Sequence, residues 1–151
     1  MNLLAKRIGL ACGLFLFPLT GLCADYSPGV TTRILQKTGI TGNGGKIVYP
    51  RTDRAEVTAM TVELAPGAQT GWHKHPVPVY AYVIAGSLAV ELESGTTLSF
   101  KEGDAIIEVV DTLHNGRNRG TGPAKLAVFY LGVEGSPTVI KGAAPAATGG
   151  N

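Results

Sequence analysis

Cysteine is nearly missing from this chain: there are two, Cys12 and Cys23, and none follows. Disulfides, thiolate metal sites and cysteine nucleophiles are thereby excluded from everything downstream of position 23. Charge is thin as well, at 16% Asp, Glu, Lys and Arg, with no acid before Asp25. Setting aside the first 24 residues removes Lys6 and Arg7, which leaves 11 basic against 11 acidic residues and turns the formal +2 into zero. With no basic block, nucleic acid is not an expected partner, and neither is an anionic membrane surface. Helical periodicity is absent, and no apolar run reaches the ~20 residues that span a bilayer.

Turn residues are what the chain has in plenty, with 21 glycines and nine prolines among 151 residues, alongside 44% hydrophobic residues. Many short elements around a packed core favour an all-β domain. The N-terminus reads differently. Lys6 and Arg7 precede the apolar stretch Ile8–Leu19, and Gly21, Cys23 and Ala24 then offer small residues for cleavage. Residues 1–24 are therefore expected to be a secretory signal, cut after Cys23 or Ala24, which places the product in the periplasm or outside the cell and off the membrane. A transmembrane anchor is the alternative, but the run is short. A lipoprotein is another, but Leu22 stands where a small residue is wanted.

Behind it, residues 25–54 read as an N-terminal arm with short strands, Lys46–Tyr49 among them. Residues 55–134 read as a barrel and 135–151 as a flexible tail. Within the barrel region Glu56–Leu64 alternates, and Val79–Ala85 is strongly β-prone. Ser87–Glu93 puts Leu88, Val90 and Leu92 on one side, and Ser94-Gly95 turns into Thr97–Phe100. Ala105–Val110, His114–Asn118 and Lys125–Leu131 complete a set of short strands spaced as in sandwiches and barrels.

The three histidines are His73, His75 and His114. Residues two apart on a strand share a face, so His73 and His75 can present two imidazoles to one point, and a third from a distant strand would complete a facial set. Such a set suits a divalent transition metal and leaves positions open for water or substrate. The alternatives are two surface histidines near a turn and a polar core residue held by Asn118.

Gly71-Trp72-His73-Lys74-His75, then Val79 and Gly86, resembles the first motif of the cupin superfamily, H-x-H-x3-E-x6-G. Gly103 to Asn118 resembles the second, G-x5-P-x-G-x2-H-x3-N, with His114 and Asn118 in register. The resemblance implies an all-β, double-stranded β-helix (jelly-roll) barrel of the small single-domain type, with one metal on His73, His75 and His114. Iron is the first expectation, with manganese, nickel, copper or zinc as alternatives. The chain departs from the pattern at Val79, where the family has a glutamate ligand, and at Val109 and Asp111, where it has proline and glycine. A three-His set is similar to that of thiol dioxygenases and of a diketone-cleaving dioxygenase, which bind ferrous iron, and on charge alone it eases binding of an anionic, chelating substrate.

Around that set, Glu108 is an acid inside an apolar strand. It reads as a general base, a partner orienting an imidazole, or a solvent-facing residue. Trp72 reads as pocket rim or packing, Asn118 as support for the His114 loop, Tyr80 and Tyr82 as core or interface, Arg117 and Arg119 as exposed edge-strand residues, and Glu91 and Glu93 as a solvated face. The functional expectation is an exported metal-dependent, oxygenase-like enzyme acting on a small organic acid or chelating metabolite. A non-enzymatic periplasmic module binding a small molecule or metal is the alternative, and a metal-free structural protein a third. Homodimerisation is the default expectation.

Overall fold

The computed structural model describes residues 27–146, so the expected signal segment and the last residues of the expected tail lie outside the described residues. The chain divides into two units, Met1–Arg33 and Ile34–Asn151. In the first, residues 27–33 are exposed and form a turn in which Val30 N donates to Ser27 O at 3.1 Å. The second holds every strand, and no helix occurs among the described residues.

Nine strands follow in order: β1 Ala55–Leu64, β2 His73–Lys74, β3 Val79–Ala85, β4 Ser87–Leu92, β5 Thr97–Lys101, β6 Ala105–Ile107, β7 His114–Arg117, β8 Ala124–Val133 and β9 Ile140–Lys141. They form two antiparallel sheets, ordered β1-β8-β3-β6 and β5-β4-β7-β2-β9. This is a jelly-roll β-barrel, as the strand spacing and the motifs anticipated. Alternation decides which residues fill it. In β8 the inward row is Ala124, Leu126, Val128 and Tyr130, and in β3 it is Val79, Ala81 and Val83. Leu88, Val90 and Leu92 of β4 close the core from the other sheet. Each fully buried valine or leucine is worth about 1.5–3 kcal/mol against exposure.

Two backbone positions explain motif residues. Gly86 has φ 76°, and a Cβ there would lie 2.5 Å from the Pro123 carbonyl oxygen, so the first motif's closing glycine answers a close approach. Asp111 has φ 50°, the only non-glycine in that region among the described residues. The second motif places glycine there, and Asp is one of the few other residues that tolerate the left-handed region.

Three expectations need correction. Lys46–Tyr49 is not a strand: Lys46 makes only an isolated bridge to Ile40, and Val48 and Tyr49 are exposed, with no face to bury. Tyr80 and Tyr82 are not core residues. Because Val79, Ala81 and Val83 take the inward row, the two tyrosines lie on the outer face of the four-stranded sheet. The segment read as a flexible tail contributes β9, which pairs Lys141 with His73 and Ile140 with Lys74. Its glycines and alanines hid two strand residues whose partner is the unfinished edge of β2.

Candidate metal centre

The site is built from one sheet outward. β2 and β7 are antiparallel neighbours in which His73 is paired directly with His114, so two imidazoles are set side by side by the ladder itself. His75 follows β2 on the same face. Ring centroids are 4.4 Å apart for His73–His114, 4.9 Å for His73–His75 and 5.0 Å for His75–His114. One ligand atom from each lies within 4.8 Å of the others. His75 and His114 are buried and His73 half-buried.

Each imidazole is oriented by a backbone carbonyl at Nδ1. His73 meets Gly71 O at 2.8 Å, His75 meets Thr138 O at 2.9 Å, and His114 meets Thr112 O at 2.9 Å. A carbonyl only accepts, so Nδ1 carries the proton in all three rings and the Nε2 lone pairs are left for another partner. The buried Nε2 of His114 has no hydrogen-bond partner at all. An orphaned, buried lone pair beside two more of its kind fits a divalent transition metal, and the outer carbonyls are the usual orienting arrangement for metal-binding histidine.

Glu108 enters the same space. Its Oε2 lies 3.3 Å from His114 Nε2 and 3.8 Å from His75 Nε2, with the side chain 15% exposed. At that distance the first contact is close enough for an ion pair but lacks the alignment of a hydrogen bond, consistent with the orphaned nitrogen. In the metal-free protein burial lowers His73 and His75 below the ordinary 6.5, with only partial compensation from their carbonyl partners and Glu108. Burial also lowers His114, but Glu108 and the Thr112 carbonyl outweigh it and hold that imidazole above 6.5. Burial pushes Glu108 up, and the adjoining imidazoles more than offset this, so the carboxyl stays below its ordinary value.

The cavity at this site is about 60 Å³, room for only a handful of waters. Its walls are mostly aliphatic, from Val62, Leu64, Leu88, Val90, Leu126 and Val128, and Glu108 is the only acid among its lining residues. Thr70, His73 and Tyr130 also line an outer cleft of about 450 Å³ that includes Trp72, Val139 and Lys141. Trp72 thus belongs to the cleft and not to the cavity.

Residues 60–130 match the family model described as a cupin domain. That stretch is a cupin domain. No curated protein matches the chain. Among solved structures, the polyketide cyclase RemF from Streptomyces resistomycificus is similar at 22% identity and a TM-score of 0.49, over 56% of this chain and 59% of that one. The DMSP lyase DddQ from Ruegeria pomeroyi is similar at 20% and 0.49, over 67% and 48%. An oxalate decarboxylase from Lactobacillus farciminis, solved as a formate complex, is similar at 18% and 0.48, over 63% and 33%. The chain thus spans between one third and three fifths of those chains.

The cupin pattern's remaining positions have clear places. Val79 is 1% exposed and belongs to the core. Asn118 is buried away from the cavity. Its amide donates to Leu64 O at 2.9 Å and Gly122 O at 2.8 Å, and its Oδ1 accepts from Gly120 N at 2.9 Å. It fastens the end of β1 to the turn after β7. Glu91, expected on a solvated face, is instead only 20% exposed at its side chain, contacting Arg119 at 2.6 Å and Arg117 at 3.5 Å and accepting from Asn115 at 3.2 Å. The alternation placed it outward correctly but could not show what covers it. Tyr130 and Thr70 line the cavity and were not singled out from sequence. The inward row of β8 carried the signal for Tyr130, its one hydroxyl among aliphatic residues.

Proposed function

We propose that this chain is an exported, metal-dependent enzyme of the oxygenase type, acting on a small chelating metabolite such as an organic acid. The observation that carries the reading is the set of three carbonyl-oriented imidazoles whose Nε2 atoms share one small cavity. A metal bound there supplies Lewis acidity and, if it is iron, copper or manganese, electron transfer. His73, His75 and His114 hold it, and their Nδ1 partners keep the lone pairs aimed. Aliphatic walls keep bulk water out, and Glu108 contributes the cavity's negative charge. The small volume limits what reaches the metal to a short chelating group, while the outer cleft, with Lys141 its only charged lining residue, accommodates the rest of an acidic substrate. Export rests on the sequence of residues 1–24. Self-association into a homodimer is favoured by the exposed apolar outer face of the four-stranded sheet, where Val57, Tyr82 and Phe129 are 65%, 40% and 44% exposed.

The rival reading is a binding module without turnover, favoured by the scarcity of acid–base groups in the cavity. Iron-loaded protein mixed with small carboxylic and hydroxy acids in an oxygen electrode separates the two. Oxygen uptake abolished by His73→Ala supports the enzyme. Saturable binding with no uptake across the panel supports the binding module and refutes the enzyme.

A further inference from the structure

We infer that Glu108 is a fourth protein ligand to the metal, delivered from the strand beside the one on which the motif expects it. This deepens, and rests on, the metal-binding reading above. Tyr80 pairs with Ile107, and Glu108 N donates to Val79 O at 3.0 Å, so positions 79 and 108 are neighbours across β3 and the chain just past β6. Neighbours across an antiparallel pair point to the same face, with Cβ atoms about 4.5–5.5 Å apart. Val79 points inward at 1% exposure, and the Glu108 carboxylate lines the same cavity. The glutamate missing from position 79 is thus replaced from the neighbouring segment that follows β6.

Distances and proton positions support ligation over the roles read from sequence. Two adjacent ligands on bonds of 2.0–2.1 Å at right angles lie about 3 Å apart, close to the 3.3 Å between Glu108 Oε2 and His114 Nε2. An orienting partner for an imidazole needs a free N–H, but all three Nδ1–H groups already meet Gly71, Thr138 and Thr112 carbonyls. What Glu108 faces is therefore a pair of Nε2 atoms whose lone pairs repel it in the neutral rings, and a cation between them, the His114 proton or a metal ion, relieves this. A carboxylate among Val62, Leu64 and Val90 is also unfavourable unless its charge is matched, and no lysine or arginine lines this cavity. A dication on the imidazoles matches it. The resulting site carries a net single positive charge, suited to one substrate carboxylate.

Cobalt(II) is the probe, because its visible absorption reports the ligand set and its affinity is measurable by competition with a chromophoric chelator. Wild type, Glu108→Gln and the exchange variant Val79→Glu/Glu108→Val are compared, each checked for folding by circular dichroism. Glu108→Gln is expected to bind at least 100-fold more weakly, at or beyond the upper end of what an orienting partner's loss brings, with a changed cobalt spectrum. The exchange variant is expected to regain affinity to within about tenfold of wild type. An unchanged spectrum in Glu108→Gln, at any affinity, overturns the inference while leaving the three-histidine site standing. Should Glu108→Gln not fold, a folded exchange variant that fails to regain affinity overturns it equally. Folded wild type that takes up no cobalt overturns the metal reading itself, and this inference with it.

Discussion

Removing Thr138–Asn151 tests whether the C-terminal strand is part of the metal site. Truncation deletes the carbonyl that fixes His75 Nδ1 at 2.9 Å, the β2–β9 pairing, and the Gly142 N to Trp72 O hydrogen bond of 2.9 Å. Losing an imidazole's orienting partner weakens metal binding about 10–100-fold. At a fixed, saturating metal concentration that factor removes about 1.4–2.7 kcal/mol of metal-linked stability. At about 4 °C per kcal/mol for a domain of this size, the metal-induced rise in Tm shrinks by about 6–11 °C. The metal-free protein loses stability too, since each net hydrogen bond removed is worth about 0.5–1.5 kcal/mol. The difference between metal-loaded and metal-free Tm separates the two effects. Calorimetric melting of both lengths, with and without nickel, is the assay. A truncated protein that melts lower but gains as much from nickel as the full chain would refute a positioning role for Thr138.

Two further outcomes follow from the local chemistry. In metal-free protein, His114 has a folded pKa above 6.5, so its contribution is fully present below pH 6.5 and is lost as pH rises through the folded value. His114→Gln should therefore cost more stability at pH 6 than at pH 9 by urea denaturation, and an equal or larger cost at pH 9 would contradict this. At position 111, glycine removes a left-handed penalty of about 1 kcal/mol but gives back a similar amount through unfolded-state entropy and the exposed Lys74–Asp111 contact. Asp111→Gly should accordingly stay within about 1 kcal/mol of wild type, while Asp111→Val should lose about 2 kcal/mol; equal urea midpoints would show that the φ of 50° is not what selects the residue.

What could be read in the sequence divides along a physical line. Alternation marked β1, β4 and β5, and β-prone residues marked β3 and β8, to within a residue or two. The core-facing rows of β3, β4 and β8 account for the pattern there, while β1 buries only Leu64. The histidine set was legible because strand geometry relates His73 to His75 and the second motif brings in His114. β9 was not legible: two residues bounded by proline, glycine and alanine have no pattern of their own, and the partner that makes them a strand lies over sixty residues away. Glu108 was seen as unusual but not placed, since an acid on an apolar strand reads equally as a solvent-facing residue or as part of a site. Only its pairing with Val79 shows which cavity it enters. Glu91 failed in the opposite sense, its arginine cover arriving from beyond β7.

The direct pairing of His73 with His114 has one more consequence. The spacing of those two imidazoles is inherited from a backbone register, which β4 extends on the other side by pairing Leu92 with His114, so the turn Ser94-Gly95 beyond it can change without disturbing that spacing. A single residue inserted within β7 is another matter: it would hand His114's place to a neighbour and rotate the imidazole through the sheet. For anyone wishing to rebuild this barrel around a different chemistry, the ladder and the three carbonyls of Gly71, Thr112 and Thr138 are the parts to leave alone.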